Sequence, residues 1–193
     1  MTPQRRFAYS ATAQIIPSKE KLMKAAELFV KCLENEGVEY IFGVPGEENV
    51  DIMDALIESP IKFITTRHEQ GAAFMADLYG RLTGKAGVCL STLGPGATNL
   101  ITGVADADMD RAPLVAIAGQ GATTRMHKES HQILDLVNMF EPITKYATQI
   151  REPEIVTEIV RKAFKVAQTE KPGLLHRFPG EHRQCRDRWQ KTD

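Results

Sequence analysis

The chain has 193 residues, enough for one domain with a hydrophobic core, and 42% hydrophobic and 25% charged residues make its composition that of an ordinary globular protein. The net charge of −1 provides no electrostatic attraction for nucleic acid or an anionic membrane, and no apolar run approaches the roughly 20 residues that span a bilayer. We therefore expect neither partner. The three cysteines, Cys32, Cys89 and Cys185, match no zinc pattern and are sparse, which fits the reducing cytoplasm, and the first two lie in apolar patterns typical of buried packing residues.

Hydrophobic periodicity predicts helices and strands in alternation along most of the chain. Residues 1–18 show little periodicity and are predicted to be a flexible arm. The elements predicted after this arm are a helix over 18–36, a strand over 38–44, a helix over 49–57, a strand over 61–65, a helix from Glu69, a strand over 87–93, a helix over 97–108, a strand over 113–118, a short helix over 132–140, a strand over 143–150, a helix over 153–168 and a strand from 174.

Alternation of this kind, with short connections, is typical of an α/β fold in which a mostly parallel sheet of about six strands carries helices on both faces. The strands over 87–93 and 113–118 are almost continuously apolar, as expected when both faces of a sheet are covered. We predict one domain over residues 19–178. Residues 179–193 are rich in arginine and have neither a helical nor a strand period, so a disordered tail is predicted there.

Two predicted turns should meet at one edge of this sheet. Glu69 follows the strand over 61–65 at the start of a helix, and the Gly-Pro-Gly turn of residues 94–99 connects a strand to the next helix. Parallel sheets bind ligands at the carboxyl ends of their strands, and backbone N–H groups at such a turn suit an anion or a ring edge. Each feature also has an ordinary alternative, since acids stabilise helix starts and Gly-Pro-Gly makes a tight turn. The residues alone therefore predict a ligand crevice without identifying its ligand.

Two further patterns concern helix packing. The helix after Glu69 is rich in small residues between Gly71 and Gly80, which favours either tight internal packing or a subunit interface. The helix over 97–108 carries acids near its end, where the helix dipole disfavours negative charge, so we expect these acids to have partners.

Four motifs in order give the chain a resemblance to a known family. They are the runs Phe42–Gly46, Arg67–Gln70, Gly94–Asn99 and Pro113–Gln120. Together they resemble the N-terminal, pyrimidine-binding domain of thiamine diphosphate enzymes, and most of all the acetolactate synthase (acetohydroxyacid synthase) group. The resemblance covers roughly residues 22–176.

The resemblance implies a role for several residues. It makes Glu69 the catalytic residue, which would share a proton with N1′ of the cofactor's aminopyrimidine and so promote loss of the proton on thiazolium C2. Gln132 would lie near the substrate, beside His131 where the synthases often carry phenylalanine, and His68 would be structural. The residues implied to bind the cofactor are Pro45, Gly46, Glu69, Pro95 and Asn99.

The resemblance also implies what the chain requires from elsewhere. In the family, magnesium and the cofactor's diphosphate are held by a separate C-terminal domain through a Gly-Asp-Gly…Asn motif, which this sequence lacks, so we expect no metal ligands in this chain. Some members carry FAD in a middle domain, so FAD is possible in a full-length parent. The family site lies between two subunits, which implies a homodimer or a partner diphosphate-binding domain.

The implied reaction is decarboxylation of a 2-oxoacid such as pyruvate and its condensation with a second 2-oxoacid, and the isolated chain is expected to be inactive. The presence of Glu69 argues against glyoxylate carboligase, which lacks this residue. Oxalyl-CoA decarboxylase, sulfoacetaldehyde acetyltransferase and other 2-oxoacid decarboxylases remain open. The alternative from a different class is a non-catalytic, stand-alone domain that associates with itself or with a separately encoded diphosphate-binding subunit.

Overall fold

The structure, a computed structural model, describes residues 23–122 and 131–169 and the backbone of residues 173–179 and 184–185. The predicted arm, residues 1–18, lies outside the described residues. Of the predicted tail, residues 179–193, only the backbone at 179, 184 and 185 is described, so its predicted disorder stays a prediction.

The described residues form helices and strands in alternation, as the periodicity predicts. Single turns of 3-10 helix occur at Glu47–Asn49, Glu141–Ile143 and Pro153–Ile155. The strands and α-helices are β1 (Met23–Lys24), α1 (Ala25–Asn35), β2 (Tyr40–Gly43), α2 (Val50–Ile57), β3 (Lys62–Thr65), α3 (Glu69–Thr83), β4 (Gly87–Ser91), α4 (Pro95–Met109), β5 (Leu114–Gln120), α5 (Leu136–Phe140), β6 (Tyr146–Gln149), α6 (Val156–Thr169), β7 (Gly173–Pro179) and β8 (Gln184–Cys185).

Six strands form one sheet in the order β3-β2-β4-β5-β7-β6, and every neighbouring pair is parallel. Successive residues of β4 and β5 point to opposite faces and into two separate cores. One core receives α1, α2 and α6, and the other receives α3, α4 and α5. The prediction of a parallel α/β sheet with helices on both faces is therefore confirmed.

Two of the predicted boundaries are wrong. Residues 23 and 24 are extended rather than helical, because they pair antiparallel with Cys185 and Gln184, far away in sequence. The helix predicted over 132–140 begins only at Leu136. Gln132 has a φ of +54°, which a right-handed helix does not accommodate, and the Asp135 carboxylate caps α5 by accepting a hydrogen bond from Asn138 N at 3.2 Å.

The small residues of α3 serve internal packing. Ala72, Ala73 and Ala76 are completely buried, and a Cβ added at Gly103 of α4 would lie 2.5 Å from Ala73 Cβ. A Cβ at Gly80 would lie 2.3 Å from the carbonyl oxygen of Pro113. α3 therefore approaches α4 and the sheet more closely than larger side chains would allow.

The expectation that the acids late in α4 have partners is met for Asp106, whereas the Asp108 side chain has no hydrogen bond or ion pair among the described residues. Arg81 of α3 donates hydrogen bonds to Asp106 of α4, to Asp110 directly after α4 and to Asp77 of its own helix. Cys32 and Cys89 are buried, as predicted. Within the described part of the chain, none of the helices combines the length and apolar character needed to cross a membrane.

The strand order creates a crevice at the carboxyl edge. From β2 the chain moves outward to β3 and then returns to place β4 on the other side of β2. The loops after β2 and β4 therefore leave the sheet in opposite directions, which is the arrangement in which open α/β sheets bind ligands. The predicted site residues lie in the loops at this edge or in the first turns of the helices that follow them.

Candidate functional site

The loops that leave β2, β3 and β4 are tied to one another by backbone hydrogen bonds. Thr66 N donates to Gly43 O at 2.8 Å, and Val44 N donates to Leu90 O at 3.3 Å. Each bond extends the sheet ladder slightly beyond the strands. The first residues of these loops are consequently held at fixed relative positions by the sheet itself.

Glu69 is the first residue of α3, and its position is set by a capped helix start. The His68 ring accepts a hydrogen bond from Gln70 N at Nδ1, at 3.2 Å, and Thr66 Oγ1 donates to His68 O at 3.0 Å. His68 thus caps the start of α3. The positive end of the helix dipole stabilises a carboxylate at this position.

The structure brings Glu69 together with Asn99 of α4. Asn99 Nδ2 donates to Glu69 Oε2 at 3.0 Å, and both side chains are half-buried. Among the described residues, Glu69 Oε1 has no hydrogen-bond partner. The amide therefore orients the carboxylate through one oxygen and leaves the other for a ligand.

The Gly-Pro-Gly turn provides a close backbone surface beside this carboxylate. Gly94 has a φ of +54°, and Pro95, exposed to solvent, occupies the first turn of α4. A Cβ at Gly96 would lie 2.6 Å from Thr92 Oγ1 and 3.3 Å from Glu69 Oε1. A side chain at position 96 would therefore collide with the Thr92 hydroxyl and crowd the Glu69 carboxylate.

The Pro45-Gly46 turn approaches the same place from the other side of the crevice. A Cβ at Gly46 would lie 2.2 Å from Thr92 Cγ2, so this turn packs directly on the loop after β4. Gly46 N donates to Asn49 Oδ1 at 2.9 Å. Asn49 is buried, and its Nδ2 lacks a partner among the described residues. The sequence indicates only a helix start there, and no pattern predicts this support for the turn.

Gln132, the residue implied to be near the substrate, lies against the Gly-Pro-Gly turn. A Cβ at Gly94 would lie 2.7 Å from both the Cβ and the carbonyl oxygen of Gln132. The segment that carries Gln132 is held by Gln120, which is buried at the end of β5 and donates from Nε2 to Leu134 O at 2.8 Å. Gln120 Oε1 accepts from Gly121 N at 3.2 Å.

Two residues of this edge, Thr92 and Gln120, were not predicted to be site residues. Gln120 could have been identified from the sequence, because it is a polar residue at the end of an apolar strand. Thr92 precedes the Gly-Pro-Gly turn and gives no local signal, because its importance arises from neighbours in other loops.

The arrangement fits an aminopyrimidine ring. It offers a half-buried carboxylate with one oxygen that has no partner among the described residues, a nearby hydroxyl and loops that glycines allow to pack closely together. The described residues contain no group of three or more His, Cys, Asp or Glu side chains that could hold a metal ion.

Comparison with known proteins gives several relatives that are named as acetolactate synthases. The chain is 48% identical over 154 residues to a probable acetolactate synthase large subunit of Methanocaldococcus jannaschii, covering 80% of this chain and 26% of the relative. It is 45% identical over 148 residues to the catabolic acetolactate synthase of Raoultella terrigena, covering 77% of this chain and 26% of the relative. It is 44% identical over 150 residues to the acetolactate synthase of Bacillus subtilis, covering 78% of this chain and 26% of the relative.

The chain therefore spans about a quarter of the length of these curated relatives. The family described as "Thiamine pyrophosphate enzyme, N-terminal TPP binding domain" matches residues 23–139, which include β1 to α5 and every loop of the crevice. With this match over more than half of its length, the chain belongs to the family of N-terminal thiamine diphosphate-binding domains.

Proposed function

We propose that this chain is the pyrimidine-binding domain of an acetolactate synthase-like enzyme, which decarboxylates pyruvate and condenses it with a 2-oxoacid. The observation that carries the proposal is the contact between Asn99 Nδ2 and Glu69 Oε2 at 3.0 Å, which leaves Glu69 Oε1 without a partner among the described residues. A carboxyl group held in this way can share a proton with a ring nitrogen while its position stays constant.

Each remaining residue has a role in this proposal. Asn99 orients the carboxyl group of Glu69, while Pro45, Gly46 and Pro95 line the ring at the loop surfaces. Gln132 lies beside the Gly94 turn, at the end that would face the substrate. When bound, thiamine diphosphate supplies a carbon nucleophile and an electron sink for the carbanion left by decarboxylation.

The proposal assigns the remaining parts of the reaction to other polypeptide segments. The chain spans only 26% of each of the three relatives, so magnesium and the cofactor's diphosphate would be held by a separate diphosphate-binding domain. FAD, if used, would bind in the full-length parent. On this view the isolated chain binds the pyrimidine and does not turn over pyruvate.

The proposal is tested by calorimetric titration of the purified chain with thiamine diphosphate and magnesium. We expect saturable binding that is lost in Glu69→Ala and weakened about tenfold in Asn99→Ala, since a hydrogen bond to a charged group contributes about 1.5–3 kcal/mol. Thr98→Ala is the control, because the Thr98 hydroxyl donates to Pro95 O and not to Glu69. Lack of binding by the wild-type chain, or equal binding by Glu69→Ala, would contradict the proposal.

A second candidate function is a non-catalytic domain that associates with a second copy of itself or with a separately encoded subunit. The observation that favours it is an apolar stripe on the exposed side of α3, formed by Phe74, Met75, Leu78 and Leu82. These residues fall on one side of the helix, opposite the buried alanines. Contiguous exposed apolar surface of this kind is typical of a protein interface.

A further inference from the structure

Asn49 forms hydrogen bonds with both backbone polar groups of Gly46, the second residue of the Pro45-Gly46 turn. Its side-chain oxygen Oδ1 accepts from Gly46 N at 2.9 Å, and its backbone N–H donates to Gly46 O at 3.2 Å. Among the described residues, no other side chain forms a hydrogen bond with Gly46. A single residue therefore fixes Gly46 relative to the start of α2.

The side chain of Asn49 does not cap the helix that it precedes. Asn49 is the N-cap residue of α2, a position at which the asparagine oxygen usually accepts a hydrogen bond from an N–H of the first helical turn. Here that bond is absent, and the oxygen is bound to Gly46 N instead. The residue is only 1% exposed, and its Nδ2 has no partner among the described residues. Because a buried unpaired donor lowers stability, the favourable contribution of this side chain lies in the bond that its oxygen forms.

The turn held in this way lies directly against the loop after β4. A Cβ at Gly46 would lie 2.2 Å from Thr92 Cγ2. Thr92 also packs on two further glycines, since Cβ atoms at Gly96 and Gly119 would lie 2.6 Å from its Oγ1 and 3.5 Å from its Cα. The Cβ position of Gly96 is in turn 3.3 Å from Glu69 Oε1. Close packing transmits displacements, so a shift of the turn would disturb the loop beside this carboxylate.

We propose that Asn49 is a positioning residue for the cofactor, whose side-chain oxygen holds the Pro45-Gly46 turn in the position that binds the aminopyrimidine ring. The inference rests on the proposed function, in which Pro45 and Gly46 line that ring. Asn49 acts through Gly46 and does not touch the ring itself, since its own side chain is buried. Without this bond the turn would sample other conformations, and the ring would bind only the fraction of chains in which the turn is correctly placed.

Three substitutions separate the bond from general stability. Asn49→Ala removes the acceptor, whereas Asn49→Asp keeps an oxygen acceptor and removes the unpaired donor. Ser59→Ala is the control, because it removes a hydrogen bond from Ile61 N to the Ser59 hydroxyl, at 3.3 Å, before β3 and so at the opposite edge of the sheet. The dissociation constant for thiamine diphosphate with magnesium should rise about tenfold in Asn49→Ala and change less than about threefold in Asn49→Asp and Ser59→Ala.

The experiment uses the full 193-residue chain, with calorimetry for affinity, urea unfolding for stability and NMR hydrogen exchange of the Gly46 amide for the turn itself. Without cofactor, this amide should exchange slowly in the wild type, Asn49→Asp and Ser59→Ala, and about tenfold faster in Asn49→Ala. The urea midpoint should fall in both Asn49→Ala and Ser59→Ala, so that a loss of stability can be distinguished from a loss of affinity.

The remaining outcomes contradict the inference in distinguishable ways. Unchanged affinity in Asn49→Ala overturns it and leaves the proposed function intact. A loss of affinity that Asn49→Asp does not recover, or an equal loss in Ser59→Ala, overturns it as well, because affinity would then follow packing or stability. Fast exchange of the Gly46 amide in the wild type has the same meaning. If this amide is protected but the wild-type chain does not bind thiamine diphosphate, the proposed function fails and the inference fails with it.

Discussion

Two buried thiols illustrate how strongly the environment of a single residue controls its chemistry in this fold. Burial raises the pKa of the Cys89 thiol to about 12. Burial, with a smaller contribution from the negative charge of Glu36, raises the pKa of the Cys32 thiol to about 11. Both groups are packing residues in the two separate cores rather than reactive nucleophiles.

The raised pKa values predict a loss of stability in alkaline solution. The ordinary pKa of a thiol is 9.0, so above pH 9 the unfolded chain releases protons that the folded chain retains. The free energy of unfolding should therefore fall between pH 9 and about pH 11, by about 1.4 kcal/mol per pH unit for each thiol, and these thiols should contribute no pH dependence below that range. Urea unfolding at pH 8, 9 and 10 measures this change.

The control for this prediction is the double variant Cys32→Ala with Cys89→Ala. It should be less stable at every pH, because it leaves cavities, but its stability should fall less steeply above pH 9. All other residues are the same in both proteins, so the comparison isolates the contribution of the two thiols. Parallel pH profiles for the variant and the wild type would contradict the prediction.

At the scale of elements, the close contact between α3 and α4 holds Glu69 and Asn99 in register. The contact depends on Gly103, whose added Cβ would lie 2.5 Å from Ala73 Cβ. Gly103→Ala should lower the free energy of unfolding by about 1–3 kcal/mol through overpacking. Gly71→Ala is the matched control on α3, where an added Cβ meets nothing within 4 Å and should stabilise the helix by about 0.5–1 kcal/mol. Urea midpoints that move in the same direction for both variants would argue against this packing model.

The same two helices are joined by an ion network around Arg81. Asp77 is buried and its carboxylate accepts hydrogen bonds from Arg81 Nε at 2.9 and 3.0 Å, while Asp106 and Asp110 bind the outer nitrogens of the same guanidinium. The hydrogen bonding that Arg81 donates to the Asp77 carboxylate is the main cause of the raised pKa of Arg81. Removal of Arg81 would leave the Asp77 carboxylate buried without its cation. An unpaired buried charge of this kind strongly destabilises the folded state.

We therefore expect Arg81→Met to lower the thermal midpoint clearly, and Asp77→Asn in the same chain to recover part of the loss by removing the unpaired charge. Lys85→Met is the control, because the pair between Lys85 and Glu39 is more than half exposed on both sides and contributes little. Thermal unfolding at neutral pH measures all three variants. If Arg81→Met and Lys85→Met shifted the midpoint equally, the buried position of Asp77 would have no energetic importance.

At the scale of the whole molecule, the exposed stripe on α3 predicts self-association. Replacing both Leu78 and Leu82 with glutamate should give monomers in a sedimentation-velocity experiment in which the wild-type chain forms dimers, because charge would be buried in the interface. Leu82 is 77% exposed, and Ile57→Glu on α2 is the matched control, since Ile57 is 75% exposed and lies away from the stripe. A monomeric wild-type chain, or dissociation of the Ile57→Glu dimer, would contradict the assignment of this surface.

The pattern of the sequence predicted most elements, but it predicted their ends less well. The strands β4 and β5 were identified because both of their faces are covered, which leaves continuous apolar runs. The extended residues 23 and 24 and the late start of α5 were missed. The first depends on pairing with residues 184 and 185, and the second on the left-handed backbone at Gln132. Neither cause can be recognised from the hydrophobic periodicity of neighbouring residues.

By itself, the sequence determined the alternation of elements, the apolar strands, the family and the two turns that carry Glu69 and residues 94–99, because each of these features depends on residues that are close in the chain. Only the tertiary structure decided that Asn99 bonds to Glu69, that Gln120 holds the segment of Gln132, and that Thr92 lies among three glycines. The physical reason is the strand order, which places β4 between β2 and β5 and so joins loops that are distant in sequence at one edge of the sheet.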